Sequence, residues 1–398
     1  MKKKTSLIFT GDIGFDRYMD KKWEDEELLS KEVLDFLHSA DHVIANVEGP
    51  LVRQETNSVT EGVQQLLHTM NPEATKVFRN MHADIWNLCN NHMMDAGDMG
   101  VECTLREAKA FGATTVGAGM NLEEACKPVI LDEAGGIGMF SVGYRRGCKP
   151  AGEDKAGCLL WNELELIQKN IDEIKSKCRW CIIISHGGEE FTSLPSPYTR
   201  DRYHMFLEMG ADIIVSHHPH VPMNYELVEG HDHINTDKPI TKAIFYSLGN
   251  FIFDTDYQRA QYNTEKGLLV KLNFTEEAYD FEGYGLEILR GPEHVVHSEL
   301  PDIFEDVQPE EYELLAPLAA KMFVAATKRQ QIYLNKAEYE NADEAKWAEH
   351  FANPKRSGRV EGEALDFFII CPLAEREKDK AWERSKLDKV KDYILKQM

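Results

Sequence analysis

Residues 212–221 read DIIVSHHPHV, an apolar run of strand length that ends in three histidines within four residues. Ile213, Ile214 and Val215 follow one another without alternation, as in a strand buried on both faces. Three imidazoles at the end of such a strand need something to organise them, and the other strands of the chain supply the context.

Five more runs have the same character: SLIFT (6–10), HVIANV (42–47), ADIWNL (83–88), CIIIS (181–185) and AIFYSL (243–248). Between them lie segments of helical period at 22–38, 72–82, 99–111, 161–174 and 198–209, the last stopped by Gly210. Strands alternating with helices predict an α/β architecture. From 266 to 299 the pattern changes to strands without helices, GLLVKLNF, YGLEILR and HVVHSEL, which predicts antiparallel additions. After Leu300 the chain turns charged and helical in period over 308–351 and 374–397. A boundary is therefore expected near 300, with a main domain over 1–299 and a helical extension over 300–398. Within the extension, 386–395 carries apolar residues on one face and is expected to dock on its own domain.

A chain of 398 residues with 42% hydrophobic content is long enough for one large domain with an extension. Its formal charge of −23 argues against a nucleic-acid partner, because phosphate contacts need clustered Lys and Arg. The start, MKKKTSLIFTGD, has only a short apolar run before Gly11 and Asp12, where a secretory signal needs about 7–15 apolar residues. Neither a signal peptide nor a membrane span is expected. Cysteines at 89, 103, 126, 148, 158, 178, 181 and 371 lack the density of a disulfide framework and predict a reducing, cytoplasmic location. CRWC (178–181) has redox spacing, but Cys181 opens an apolar run, so a buried strand cysteine is expected.

The residues just past each buried run carry the chemistry. SLIFT leads to Asp12, HVIANV to Glu48, ADIWNL to Asn91 and His92, CIIIS to His186, ADIIVS to His217, His218 and His220, and AIFYSL to Asn250. In open α/β sheets the carboxyl ends of the strands share an edge where ligands bind. One Asp there is an ordinary turn residue and one His an ordinary hydrogen-bonded side chain. Carboxylates and imidazoles repeated at one kind of position instead call for a cation, and mixed carboxylate, amide and imidazole donors suit Mn, Fe or Zn. His218 and His220, two residues apart in a loop stiffened by Pro219, can serve two ions or one; the role of His217 stays open. GHDH (230–233) and HVVH (294–297) follow none of these strands and are expected at the surface.

Assembled in order, GDIGFDR, ANVEGPL, NLCNNHMMDAG, SHGGEE, GADIIVSHHPHV and YSLGNFIFD resemble the poly-γ-glutamate capsule-synthesis (CapA) family, a branch of the calcineurin-like metallophosphoesterase superfamily, over residues 5–255. The resemblance implies a four-layer α/β/β/α sandwich of metallophosphoesterase type, with one or two divalent ions at the strand ends. Asp12 resembles the first-strand Asp ligand, Glu48 stands where the superfamily places a bridging Asp, and Asn91 resembles the Asn of its Asn-His motif. His186 and His218 are implied to bind the same ion as Asn91, and His220 the other. His92 resembles the general acid, with Asp95 orienting it, and Arg17 and Asn250 are candidates for binding substrate or for supporting the ligands from behind. The superfamily's first strand reads Asp-x-His, whereas position 14 here is Gly, which removes one imidazole.

The activity this implies is a metal-dependent, phosphoesterase-like hydrolysis in which a metal-activated water attacks and His92 protonates the leaving group. The expected substrate is an anionic small molecule or a glutamate polymer, drawn in by the ions with Arg17, and with Arg145 and Arg146 from a Gly-flanked loop. Two other uses of the site are a non-catalytic binding or assembly role in polymer synthesis, and epimerisation of an amino-acid residue by proton abstraction at a metal-polarised carbonyl.

Overall fold

The computed structural model describes residues 4–53, 67–352, 387–396 and 398. In chain order the strands of its two large sheets are β1 (Thr5–Ile13), β2 (His42–Val47), β3 (Ala83–Asn87), β4 (Thr114–Val116), β5 (Val129–Leu131), β6 (Ile137–Gly143) and β7 (Trp180–His186). They continue with β8 (Ile213–His217), β9 (Tyr225–His231), β10 (Pro239–Phe245), β11 (Asn250–Ile252), β12 (Lys266–Phe274), β13 (Tyr279–Ile288) and β14 (Val295–Ser298). The first sheet has the order β14-β13-β12-β1-β2-β3-β4, with β11 also pairing β1; the second has the order β9-β10-β8-β7-β6-β5.

Strand parity builds three apolar layers. Leu7 and Phe9 of β1, Ile44 of β2, Ile182 and Ile184 of β7, and Ile213 and Val215 of β8 fill the space between the sheets. The alternate residues Ile8, Val43 and Ala45 face helices α1 (Lys31–Leu37), α2 (Thr75–Asn80) and α3 (Gly97–Phe111). Ile183 and Ile214 face α4 (Leu164–Lys175) and α5 (Pro197–Glu208) on the other side. Two sheets face to face with helices outside give the expected four-layer α/β/β/α sandwich. Each aliphatic side chain so buried contributes about 1.5–3 kcal/mol.

Each of the six runs contributes to a strand, with AIFYSL shifted: β10 ends at Phe245 and the chain then crosses to the first sheet, where Asn250 pairs in parallel with Asp12. That crossing touches β1 at Gly11, where a Cβ would come 2.3 Å from the Gly249 carbonyl oxygen. The sequence reading missed β6, IGMFSVG, whose two glycines hide a strand lying between β7 and β5 in the second sheet. The single helix expected over 22–38 is instead a 3₁₀ turn (Lys22–Glu24) and α1, because Ser30 caps a fresh helix through the Val33 N–H. His294, expected at the surface, is 3% exposed, since residues 28–30 bond the backbone of Val295 and lay its neighbour against Asp25. Cys181 lies buried in β7 as expected, and the seven described cysteines are free thiols.

After β14 the chain does not leave the sandwich at once. Phe304 fills one end of the inter-sheet layer, and residues 305 and 307 bond the backbone of Tyr225. Helix α6 (Pro309–Leu334) follows, then α7 (Glu344–Phe351) and α8 (Asp388–Leu395). Val390 and Ile394 of α8 pack with Leu315 and Phe323 of α6 and with Leu194 of the main body. The expected helix at 374–397 lies largely outside the described residues. Among the described residues no helix is long and apolar enough to cross a membrane.

Candidate metal centre

Asp12 reaches the space between the sheets because of a bulge. The β1–β2 register shifts between Phe9 and Asp12, so both of these side chains, three residues apart, point inward where strict alternation would turn one away. A buried ladder of amides then fixes the carboxylate. Asn46 Nδ2 donates to Asp12 Oδ1 (2.7 Å), Asn87 Nδ2 to Asn46 Oδ1 (2.7 Å), and Ser141 Oγ to Asn87 Oδ1 (2.6 Å). Sequence reading passed over Asn46 and Asn87, although a polar residue inside an otherwise apolar strand was their signal.

Glu48 follows β2 and is fully buried. Neither of its carboxylate oxygens has a hydrogen-bond partner. Around Oε1 stand three imidazole nitrogens: His220 Nε2 at 3.6 Å, His186 Nε2 at 3.9 Å and His92 Nε2 at 4.0 Å. Such separations are too long for hydrogen bonds. They are near the spacing of ligands on a common ion, since atoms about 2.1 Å from an ion at tetrahedral angles lie about 3.4 Å apart.

The electrostatics make the same demand. Burial, then the facing Asp12 carboxylate, pushes Glu48 well above the ordinary carboxylate range. His220 is pushed down by burial, but Glu48 and Asp12 overcome this and raise it to about 10. Two carboxylates in a dry site thus pull positive charge onto the nearest imidazole, while burial and the neighbouring histidines hold His186 well below its usual value. A divalent cation fits these residues, whose donors are carboxylate and amide oxygens and imidazole nitrogens.

Two triads bring potential ligand atoms within 4.8 Å of one another: Asp12, Glu48 and His186, and Glu190, His218 and His220. His218 and His220 therefore fall in one group, and Glu48 Oε1 of the other lies 3.6 Å from His220 Nε2. Asn91 Oδ1 lies 2.8 Å from His186 Nε2, so these two expected co-ligands are adjacent. Glu190 was not singled out from the sequence. Of the neighbouring acids in SHGGEE, Glu189 is used structurally, accepting from Ser196 N–H (2.9 Å), Ser196 Oγ (2.6 Å) and Thr199 Oγ1 (2.8 Å), which leaves Glu190 toward the imidazoles.

Backbone strain gathers here. Of nine described non-glycine residues with positive φ, four are Arg17, Phe191, His218 and His220. Such conformations persist where the surroundings enforce them, and they cluster at functional sites.

The remaining expected residues separate into two roles. Asn250 is buried beneath His220, and its Nδ2 donates to Gln258 Oε1 (2.7 Å) and the Thr264 carbonyl (2.9 Å). Its Oδ1 must then accept from His220 Nδ1 (3.0 Å), which turns Nε2 of that ring toward Glu48 as the nitrogen a cation would meet. With its amide committed and no exposed surface, Asn250 is placed to orient an imidazole, which favours the supporting alternative of the sequence reading over substrate binding. His92 donates Nδ1–H to Asp95 Oδ2 (2.7 Å), which also accepts the His68 N–H (2.8 Å). Burial, then His68, pushes His92 down to about 4 against the pull of Asp95, so its Nε2 is bare at neutral pH. His68, unsignalled in the sequence, packs edge-on to His92 at 4.2 Å between ring centres. Arg17 Nη1 sits 3.4 Å from His68 Nδ1, donates to the Leu67 carbonyl, and lines a pocket of about 430 Å³ with Tyr257 and Tyr333.

The family model described as "Bacterial capsule synthesis protein PGA_cap" matches residues 6–255. The chain is 30% identical over 260 residues to the PGA biosynthesis protein CapA of Bacillus subtilis (strain 168), covering 64% of this chain and 65% of that protein. It is 27% identical over 267 residues to the capsule biosynthesis protein CapA of Bacillus anthracis, covering 65% and 62%. The chain thus spans less than two thirds of the length of these relatives. Among solved structures it resembles a phosphatase from Mycoplasma pneumoniae, with TM-score 0.42 and 12% identity over 72% of this chain and 95% of that one. A second resemblance, to the protein TT1561 of Thermus thermophilus, has TM-score 0.36 and 10% identity over 71% and 98%.

Proposed function

Because the chain belongs to the bacterial capsule synthesis PGA_cap family, we propose that it acts in glutamate-polymer capsule synthesis as a cation-dependent hydrolase, with a phosphoester as the bond cleaved. The observation that carries this reading is Glu48, a carboxylate buried without a hydrogen bond and ringed by imidazole nitrogens at 3.6–4.0 Å. An uncompensated charge in such surroundings costs several kcal/mol, which argues for a bound cation as its partner.

In this reading Asp12, Glu48, Asn91, His186, His218, His220 and Glu190 hold one or two divalent ions, with Glu48 shared. Bound divalent cations polarise an anionic substrate and lower the pKa of water. Asn250 holds His220 with Nε2 facing inward, and the Asn46–Asn87 ladder holds Asp12. Asp95 holds His92 through Nδ1–H, so that Nε2 is the nitrogen that would take up and pass on a proton. A bound anion would favour the protonated, donating form of that ring, as leaving-group protonation requires. Arg17, beside His68 at the pocket wall, would meet an anionic group of the substrate. We place this activity in a reducing, cytoplasmic compartment, in keeping with the free thiols of the described cysteines.

The test pairs composition with turnover. Protein purified without chelator is expected to contain Mn, Fe or Zn and to hydrolyse p-nitrophenyl phosphate or bis(p-nitrophenyl) phosphate, with His220→Ala losing both properties. Metal without turnover on any phosphoester would overturn hydrolysis in favour of the binding or assembly role, and absence of metal would overturn the cation reading itself.

A further inference from the structure

His217 has no place in the proposed function, yet it is 1% exposed and sits against Asp12. It is the last residue of β8. Strand parity sends Ile213 and Val215 into the inter-sheet layer, whereas Ser216 turns outward to bond Tyr203 Oη at 2.6 Å. His217 therefore projects inward, at the level where His186 pairs with it in register across β7 and β8. Its Nδ1 lies 3.6 Å from Asp12 Oδ1, is buried, and has no hydrogen-bond partner.

We propose that His217 is a further ligand of the cation held by Asp12, a role that rests on the proposed cation site. Three observations carry this assignment. A buried ring nitrogen left without a partner loses the hydrogen bond that water would have provided, so a purely structural histidine here would be expected to bond something. The 3.6 Å separation from Asp12 Oδ1 is longer than a hydrogen bond but matches the separations of His220 and His186 from Glu48 Oε1, 3.6 and 3.9 Å. It is also close to the roughly 3.4 Å expected of two ligands on one tetrahedral ion. Finally, β1 cannot offer a second imidazole from position 14. A Cβ there would come 2.6 Å from Phe253 Cε2, and the Phe253 ring is packed against His220 and His68. An additional imidazole on the Asp12 side has to come from the facing sheet, and His217 is the residue that presents one.

The assignment is tested on the full chain with Co²⁺ as the probe, read by its visible absorption and by calorimetric titration. His217→Ala removes the ring. His217→Asn keeps a side-chain amide that reaches the Nδ1 position, and so preserves a structural contact to Asp12 while offering a poor ligand. Both variants are expected to bind Co²⁺ at least about tenfold more weakly than wild type and with an altered absorption spectrum. In chelator, His217→Asn is expected to melt as wild type does. Wild-type affinity and spectrum in His217→Asn would overturn the ligand role and leave a structural contact to Asp12. Failure of the wild-type chain itself to bind Co²⁺ would overturn the cation reading and, with it, this assignment.

Discussion

Both oxygens of the Glu48 carboxylate are buried without a hydrogen bond, and burial together with Asp12 raises its pKa well above the ordinary 4.5. A carboxyl whose pKa is higher folded than unfolded binds more protons in the folded state, so chelator-treated protein should lose stability as pH rises above about 4.5. Glu48→Gln is expected to flatten that slope and to stabilise the chelated protein by about 1–3 kcal/mol at neutral pH, while abolishing the gain in melting temperature given by Mn²⁺. Calorimetry across pH with and without Mn²⁺ measures both effects. Opposite signs in the two conditions separate a cation ligand from an ordinary buried acid. Asn250 offers a test at one remove. Asn250→Ala removes one acceptor of His220 Nδ1, leaving Asp12 Oδ2 at 3.1 Å, and should weaken Mn²⁺ binding by about 10–100-fold in calorimetric titration, because the ring loses the amide that fixes its orientation.

At the scale of elements, the loop between β7 and α5 assigns different work to two adjacent acids. Glu189 ties Ser196 and Thr199 at the start of α5, where Ser196 also caps the helix through the Thr199 N–H at 3.2 Å. Glu189→Ala is expected to cost about 1–3 kcal/mol in urea denaturation, since it leaves buried donors unmatched. Glu190→Ala should cost far less stability and act instead on cation affinity. Along the same helix, Arg200 and His204 meet Glu226 of β9; burial pushes that carboxyl up, but hydrogen bonds from His204 and Arg200 overcome it and hold it below 4.5. That pairing stabilises the fold at neutral pH and should be lost as pH falls below about 4.5. Glu226→Gln, unfolded by urea at pH 7 and at pH 4, should show the larger loss relative to wild type at pH 7. Apolar runs and cap residues were legible in the chain because they are local signals. The bulge that turns Asp12 inward was not, because it exists only where β1 meets β2.

For the whole molecule, the helical C-terminal segment is packed onto the sandwich by both apolar and polar contacts. Phe323 of α6 is fully buried beside Val390 and Ile394 of α8. Tyr312 Oη donates to the Pro195 carbonyl at 2.7 Å, and Gln261 Nε2 to the Ala326 carbonyl at 3.2 Å. Phe323→Ala should therefore destabilise by about 3–5 kcal/mol, and loss of α6 and of the sandwich should follow one urea transition when fluorescence and circular dichroism are compared. Two separate transitions would mean that the segment folds as a unit of its own. Tyr333 near the end of α6 meets Tyr257 at 5.7 Å between ring centres, and both line the pocket that Arg17 shares. Residues beyond the family match thus wall one side of the pocket that Arg17 lines.

The α/β class, the positions of most strands and the kinds of side chain that collect at their carboxyl ends can be read from the linear chain. Those properties are written in short apolar runs and in the polar residues that interrupt them. Asp12, Glu48, Asn91, His186, His218 and His220 were legible for that reason, with the family resemblance giving them expected roles. It takes the assembled fold to show which of Glu189 and Glu190 faces the imidazoles, that Asn46 and Asn87 hold Asp12, that Asn250 lies under His220, and that His217 looks across at Asp12. Each of these depends on which sheet face a strand presents and on which strand lies opposite. The sandwich settles both when its two sheets close on a common apolar layer, with the polar ends of their strands brought together at its edge.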